Sequence, residues 1–441
     1  MKKVLVLGAG LVARPLVRYL LDQPEIQLVV ASRTLSKAEA LVQGHPDGNV
    51  EPLNIDDTEK LNDLISQSDL VISLVPYTYH VKVAEICLEH NAHLITTSYV
   101  SPAMSLLDNK AKAKNLLFLN EIGLDPGIDH MSAMKIIHHA QNGGGTVVSF
   151  ESCCGGLPAP EANDNPFGYK FSWSPRGVVM AGRNPAHYLK DGKEVKIQGK
   201  DLFKHHWPKH VDGLGKLEVY PNRDSMIYRE LYGLENSQTV FRGTFRNPGW
   251  CETLYLISRL GYLNDEQRPE FEDKTFAEVT ASLIGAPVDR DLKKNVARYL
   301  QVESNSEALN RLEWLGLFSD QKAPAQPPSA LDIMANRMLE KMAYKEGERD
   351  MIVLQHDFII HYPEHSPKAV CSLLIDFAIP KGDSAMARTV SLPAAIAAKL
   401  VVQQQINLTG VQIPIEPEIY EPVLLELENL NIKFKETQTD L

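Results

Sequence analysis

The strongest constraint in this sequence is a buried strand that runs straight into a glycine turn. Residues 4–7 form a short continuous apolar run, the pattern of a strand covered on both faces. Gly8-Ala9-Gly10-Leu11-Val12-Ala13 follows at once, and Val12, Leu16, Val17, Leu20 and Leu21 then recur at helical spacing. Gly8 permits the tight turn, Gly10 leaves room for a diphosphate against the backbone, and Ala13 lets helix and strand pack closely. The unbonded N–H groups of the helix start would face the phosphate oxygens, and Pro15 costs little in that first turn. A bare G-x-G-x-x-A is a weak signal. Between a buried strand and an amphipathic helix it predicts a dinucleotide-binding unit.

The pattern that follows supports this reading. Residues 28–31, 50–55, 70–75, 94–97 and 116–119 read as strands, with helical spacing over 36–42, around Leu61, Leu64 and Ile65, and over 81–88. Such alternation implies a parallel sheet with right-handed crossovers. Past Gly143-Gly144-Gly145 the segments 146–153, 178–180, 195–197 and 217–220 read as short strands of a mainly antiparallel sheet. Residues 276–317 show helical spacing, and 319–328 reads as a surface linker. Residues 352–362 and 369–379 read as a hairpin, and 385–402 as an apolar helix that packs back on the N-terminal part. The fold class expected is α/β: a Rossmann doubly wound parallel sheet, plus a mixed or antiparallel α+β domain with an all-α insert.

Composition excludes several alternatives. A chain of 441 residues calls for two or three domains. Its formal charge of −11 argues against a general nucleic-acid partner, since phosphate contacts need clustered Lys and Arg. No apolar run is read as membrane-spanning, and residues 1–8 make no signal peptide, so a cytoplasmic protein without a membrane partner is expected. Cys87, Cys153, Cys154, Cys251 and Cys371 show neither a disulfide framework nor zinc spacing, and are expected as small buried hydrophobes. Lys204-His205-His206-Trp207-Pro208-Lys209-His210 is expected to be a solvated loop, with no converging carboxylate or thiolate to make a metal site.

The end of the second strand bears on the cofactor. An NAD site usually offers a carboxylate there for the ribose 2′-hydroxyl. This chain has Ser32-Arg33-Thr34 and no acid until Glu39, and a guanidinium with two hydroxyls suits a 2′-phosphate. NADP(H) is therefore expected, against the alternative that Arg33 is a solvated residue and either cofactor binds. Loops after predicted strands carry Ser98-Tyr99-Val100-Ser101-Pro102 and Asn120 to Asp129, and should face the nicotinamide. Tyr220 to Ser225 and Arg242 to Arg246 bring Arg223 and Arg246 from the second domain. Arginines at a hydride-transfer site suit a carboxylate-bearing substrate, although both could instead form structural salt bridges. Asp125 could hold a substrate ammonium or move a proton, with Tyr99 the other nearby donor. Asp129 is expected to cap a helix starting at His130.

From end to end the chain resembles the NADP-dependent, glutamate-forming saccharopine dehydrogenases (saccharopine reductases). The residues that carry the likeness are Val71-Ile72-Ser73-Leu74-Val75-Pro76-Tyr77-Thr78, Ser98-Tyr99, Asn120 to Asp129, Gly155 to Glu161, Asp164-Asn165-Pro166, Gly168 to Ser174, Tyr220 to Ser225, Trp314 to Asp320 and Glu348 to Met351. The likeness implies oxidoreduction of saccharopine to glutamate and 2-aminoadipate 6-semialdehyde through an imine, in lysine metabolism, and a homodimer. It implies a Rossmann domain over 1–125 completed by about 385–441, a sheet domain over 126–265 and 345–384, and a helical insert over 266–344. It also implies cofactor contacts at Gly10, Leu11, Val12, Ala13, Ser32, Arg33, Thr34, Asp56, Val75, Thr97, Leu124, Asp125 and Pro126. Substrate contacts would lie at Ser98, Tyr99, Asp125, Arg223, Thr244, Phe245 and Arg246. Two other readings stand beside it. One is an imine-reducing dehydrogenase of the carboxynorspermidine type, and the other a non-catalytic dinucleotide sensor.

Overall fold

The computed structural model describes residues 1–324 and 329–441, and the chain divides into two compact units. Met1–Gly144 with Ala378–Phe434 make the first, and Gly145–Phe377 with Lys435–Leu441 the second.

The first unit holds a seven-stranded sheet. Its strands are β1 (Lys2–Leu7), β2 (Ile26–Ser32), β3 (Gly48–Pro52), β4 (Leu70–Ser73), β5 (His93–Thr96), β6 (Leu117–Leu119) and, after the chain returns, β15 (Gly410–Gln412). The order is β15-β6-β5-β4-β1-β2-β3, and every pair is parallel. Val4, Leu5, Val6 and Leu7 are wholly buried, as a strand covered on both faces must be. The strand order reverses between β1 and β4, the kind of position where ligands bind in open α/β sheets.

The helix Ala385–Val402 packs against the helix Ala13–Leu21. By length and composition alone it is apolar enough to cross a membrane, contrary to the expectation that no run reaches that length. In the folded chain 83% of it is buried, which accounts for the hydropathy as core packing. The helix Ile128–Asn142 belongs to this unit too, packed on the helix Pro417–Asn429, with His138 Nδ1 2.9 Å from the Tyr420 hydroxyl.

The second unit is built on a nine-stranded mixed sheet. Its strands are β7 (Thr146–Pro158), β8 (Ala186–Lys190), β9 (Lys193–Ile197), β10 (Trp207–Val211), β11 (Gly215–Pro221), β12 (Thr239–Arg246), β13 (Asp350–His361), β14 (Lys368–Phe377) and β16 (Phe434–Asp440). The main order is β10-β11-β12-β7-β13-β14-β16, with β8 paired to β12 and β9 to β8. The β12–β7 pair is parallel, and the β13–β14 hairpin antiparallel as expected. The sheet rolls on itself: Lys435 in β16 at one edge pairs with Asp212, just past β10 at the other, at 2.7 Å. Helices Phe276–Ile284, Leu292–Leu300, Glu307–Trp314 and Ala330–Lys341 share one continuous core with this sheet.

Three readings of this region are corrected. Residues 178–180 are not a strand but lie in the helix Pro175–Ala181. The Ser174 side chain accepts from Gly177 N–H and Pro175 sits at the helix start, so a local cap overrides the strand preference of the two valines. The histidine-rich stretch is not a loop, since Trp207–Val211 pairs with β11. The start of the expected linker is tied down, because Phe276 N–H donates to Gln321 O (2.9 Å) and Ala277 N–H to Ser319 O (3.0 Å). Its end, Ala325-Gln326-Pro327-Pro328, lies outside the described residues.

One charge cluster ties the rolled sheet together. Lys209 in β10 meets Glu151 in β7 and Asp357 in β13, each at 2.7 Å, and Lys190 in β8 also reaches Glu151 at 2.8 Å. Burial pushes the Glu151 carboxyl up, but Lys209 and Lys190 outweigh it and hold the group below the ordinary carboxylate range. Its stabilising contribution is therefore complete above the unfolded-state value and is lost as pH falls through the folded one. Lys209→Met should cost roughly 3 kcal/mol, because it leaves two carboxylates without their shared cation. Urea midpoints at pH 7 and pH 3.5 check this: the gap between wild type and variant should be wide at pH 7 and narrower at pH 3.5.

Candidate active site

In the first unit the carboxyl ends of the parallel strands carry the expected cofactor residues. Gly8 follows β1 with φ +111°, and a Cβ there would press on the Leu74 carbonyl oxygen at 3.2 Å. A Cβ on Gly10 would meet nothing within 4 Å, so open space lies over the start of the helix Ala13–Leu21. Ala13 is wholly buried beneath it, Leu11 is exposed, and Val12 at the cap position makes no side-chain hydrogen bond. The helix's own N–H groups are left to meet a ligand's oxygens, so these residues fit a dinucleotide diphosphate.

Past β2 and β3 lies a cationic spot. Ser32 Oγ accepts from Thr34 N–H (3.2 Å), and Arg33 and Thr34 are exposed. Arg33 makes no ion pair among the described residues. Its charge is felt by Tyr79, whose phenol the Asp56 side chain pushes up while Arg33 draws it down. Arg33, Asp56 and Tyr79 thus share one place, and Tyr79 was not singled out in the sequence. Val75 and Thr97 are half-buried in the loops after β4 and β5, whereas Leu124 and Pro126 are buried in the loop after β6.

The loops after β5 and β6 are locked to each other. Tyr99 Oη donates to Asp125 Oδ1 at 2.9 Å, which brings both candidate proton-handling residues together. Glu121 holds the arrangement from below. Its Oε1 accepts from Val100 N–H (2.9 Å), its Oε2 lies 2.8 Å from His130 Nε2, and its own N–H donates to Ser98 O (3.1 Å). Glu121 is buried and takes the left-handed conformation (φ 57°), unusual for a residue with a side chain. The Asp129 expectation is corrected: the helix begins at Ile128, and Asp129 inside it reaches back to accept from Gly127 N–H at 2.6 Å. Gly127 takes the cap position with φ +146°, where a Cβ would collide with the Gly123 carbonyl, so the helix starts two residues earlier than expected.

His80 is a second residue that the sequence reading passed over. It begins the helix His80–His90 and is 5% exposed. Its Nδ1 lies 2.9 Å from Ser73 Oγ, and its Nε2 lies 3.0 Å from Thr96 Oγ1 and 2.9 Å from Ser98 Oγ. Burial draws its pKa down to about 4, so the ring is neutral at ordinary pH.

In the second unit Thr244, Phe245 and Arg246 end β12, and Arg246 is 5% exposed. The rings of Tyr169, Trp250 and Tyr220 lie 4.9, 5.4 and 5.9 Å from its Cζ. One of its N–H groups donates to Phe245 O (2.8 Å), its Nε–H meets no acceptor, and it has no carboxylate partner among the described residues. The structural salt bridge considered for it is not formed. Arg223 is exposed just past β11, in the left-handed conformation (φ 54°), with its carbonyl accepting from His187 N–H (2.9 Å). Asn222 N–H donates to Arg242 O, which sets Arg223 about five register steps, or roughly 17 Å of strand, from Arg246. The two arginines stand at opposite ends of one strand pair rather than side by side.

Next to Arg246, and contrary to expectation, a carboxylate and a thiol do converge on His206. Ligand atoms of His206, Glu218 and Cys251 lie within 4.8 Å of one another. The Glu218 carboxylate is already committed, however, accepting from Gly249 N–H (2.7 Å) and Cys251 N–H (3.1 Å) at the start of the helix Trp250–Arg259. None of the five cysteines forms a disulfide, and only Cys371 is not fully buried.

A family model described as the saccharopine dehydrogenase NADP binding domain matches residues 4–119, and its C-terminal domain counterpart matches residues 123–432. The chain belongs to the saccharopine dehydrogenase family. It is 39% identical over 450 residues to the NADP(+), L-glutamate-forming saccharopine dehydrogenase of Schizosaccharomyces pombe, covering 100% of both chains. It is 37% identical to the mitochondrial alpha-aminoadipic semialdehyde synthase of Bos taurus, over 99% of this chain and 48% of that protein. A solved structure of apo L-Glu-forming saccharopine dehydrogenase from Saccharomyces cerevisiae superimposes with a TM-score of 0.89 at 38% identity, covering 100% of each chain. The expectation that the exposed Arg33 meets the 2′-phosphate of NADP can be tested in this family setting. Arg33→Ala should raise the KM for NADP by roughly 10- to 100-fold, the loss of one or two charge-assisted hydrogen bonds, and change that for NAD little. Steady-state kinetics with each cofactor check it.

Proposed function

We propose that this chain catalyses the NADP-dependent interconversion of saccharopine with L-glutamate and 2-aminoadipate 6-semialdehyde, in lysine metabolism. The observation that carries the reading is Arg246, a buried guanidinium without a carboxylate partner among the described residues, in a chain of this family. A buried charge left uncompensated is costly, so the position calls for an anion from outside, and a substrate carboxylate supplies one. A polyamine substrate would bring a second cation there instead, which disfavours the carboxynorspermidine-type reading.

NADP(H) supplies the hydride acceptor or donor. In the oxidative direction the secondary amine of saccharopine loses a proton from nitrogen and a hydride from carbon, giving an imine. Water adds to the imine carbon, and the resulting carbinolamine releases the glutamate amine and leaves the semialdehyde. Asp125, with Tyr99 Oη donating to it, would hold the substrate nitrogen and pass these protons, and Ser98 would bind a substrate oxygen. Arg246 and Arg223, set well apart along one strand pair, suit carboxylates at different ends of a long substrate rather than a single carboxylate.

Two further expectations belong to the same proposal. Five cysteines without a disulfide suit a reducing compartment, which supports a cytoplasmic protein. The family likeness supports a homodimer with small-molecule substrates, and the formal charge of −11 speaks against a general nucleic-acid partner.

Purified protein with saccharopine and NADP should raise the nicotinamide absorbance, and far less so with NAD. No rise with either, while NADP still binds, would move the reading to another imine substrate or to a sensor. Arg246→Ala and Arg223→Ala should each lower kcat/KM for saccharopine by at least about tenfold, the cost of one charged contact, with NADP affinity kept.

A further inference from the structure

We infer that His80 is a positioning residue that turns the Ser98 hydroxyl hydrogen outward, making Ser98 a donor for a carboxylate oxygen of the substrate. This rests on the function proposed above. The argument is a count of donors and acceptors. β4 and β5 are neighbours, with Ser73 and Thr96 opposite each other in register. His80 lies over that pair, with three hydroxyls around its two ring nitrogens: Ser73 at Nδ1, and Thr96 and Ser98 at Nε2.

A neutral imidazole has one N–H and one lone pair. If Nε2 carries the hydrogen, it donates toward Thr96 or Ser98 and takes up neither hydroxyl hydrogen. Ser98 Oγ–H is then free to point away. If Nε2 carries the lone pair, Thr96 and Ser98 compete for one acceptor. Thr96 is wholly buried, and its Oγ1 has as its other partner only Ser98 N–H, itself a donor at 3.3 Å. Leaving a buried hydroxyl hydrogen unmatched is costly, so Thr96 takes the lone pair. Ser98 is only part-buried and can satisfy its hydrogen elsewhere. In either tautomer His80 takes up no hydrogen from Ser98, whose hydroxyl is left to donate elsewhere. The ligand class that suits an unspent donor is an anionic oxygen.

The test is a double-mutant cycle between His80 and Ser98, read as KM for saccharopine, kcat, and NADP affinity measured separately by fluorescence. His80→Asn places its amide near the Nδ1 position and abandons Thr96 and Ser98, while His80→Gln reaches the Nε2 position. His80→Asn should raise KM by roughly tenfold, about one hydrogen bond to a charged acceptor, and His80→Gln should recover most of that. Ser98→Ala should match His80→Asn, and the double variant should be no worse than Ser98→Ala alone. NADP affinity should hold throughout. If His80→Asn does not fold, the His80→Gln and Ser98→Ala pair carries the same cycle, with the smaller His80 effect vanishing in the alanine background. Multiplying losses in the double variant, or a parallel loss of NADP affinity, would overturn the inference. Absence of saccharopine turnover by wild type would instead overturn the proposed function, so the two failures are distinguishable.

Discussion

A buried carboxylate, Glu121, holds the loops at the carboxyl ends of β5 and β6 in one arrangement. Loops that follow separate parallel strands have no backbone ladder between them, so something else must fix their spacing. Glu121 does so by taking the Val100 N–H with one oxygen and meeting His130 with the other, while its backbone N–H bonds Ser98. The loop after β5, the loop after β6 and the helix Ile128–Asn142 thereby become one piece. The left-handed backbone at Glu121 costs on the order of 1 kcal/mol or more, and persists because these three bonds over-determine it. The Tyr99–Asp125 contact depends on this clasp, since each residue lies on a different loop.

The two units handle charge in opposite ways. In the first, the polar groups near the expected reaction site are paired with one another: Tyr99 with Asp125, Glu121 with His130, His80 with three hydroxyls. Such a site is pre-organised and loses little freedom when substrate arrives. In the second, Arg246 is enclosed by three aromatic rings that accept a cation without quenching it. The rings fix the guanidinium, and the Glu218 carboxylate opposite it in register is taken by the Gly249 and Cys251 N–H groups rather than by the arginine.

What the sequence made legible was local. Gly8 to Ala13 between a strand and a helix, and the run of strands that follows, depend on neighbours in the chain, and the parallel sheet matches them. The valines at 178 and 179 misled because strand preference was weighed without the cap at Ser174, although that signal was also local. Glu121, His80 and Tyr79 were not legible for a different reason. Each acts through atoms brought near only by folding: His130 and Val100, Ser73 and Thr96, Asp56 and Arg33. An isolated Glu or His in a helical or loop context carries no mark of such partners.

The same distinction explains why two arginines in recognisable motifs turned out to differ. Both were legible as candidates, because each lies in a cluster whose composition is unusual for routine packing. Their environments were not, because Tyr169, Tyr220 and Trp250 come to Arg246 from three separate stretches, while Arg223 sits exposed in a turn. A cation already fixed and desolvated by its own protein gives up little on binding. An exposed one keeps contact with water until a ligand covers it. Of the two, Arg246 is therefore the one whose surroundings the fold fixes before any ligand arrives.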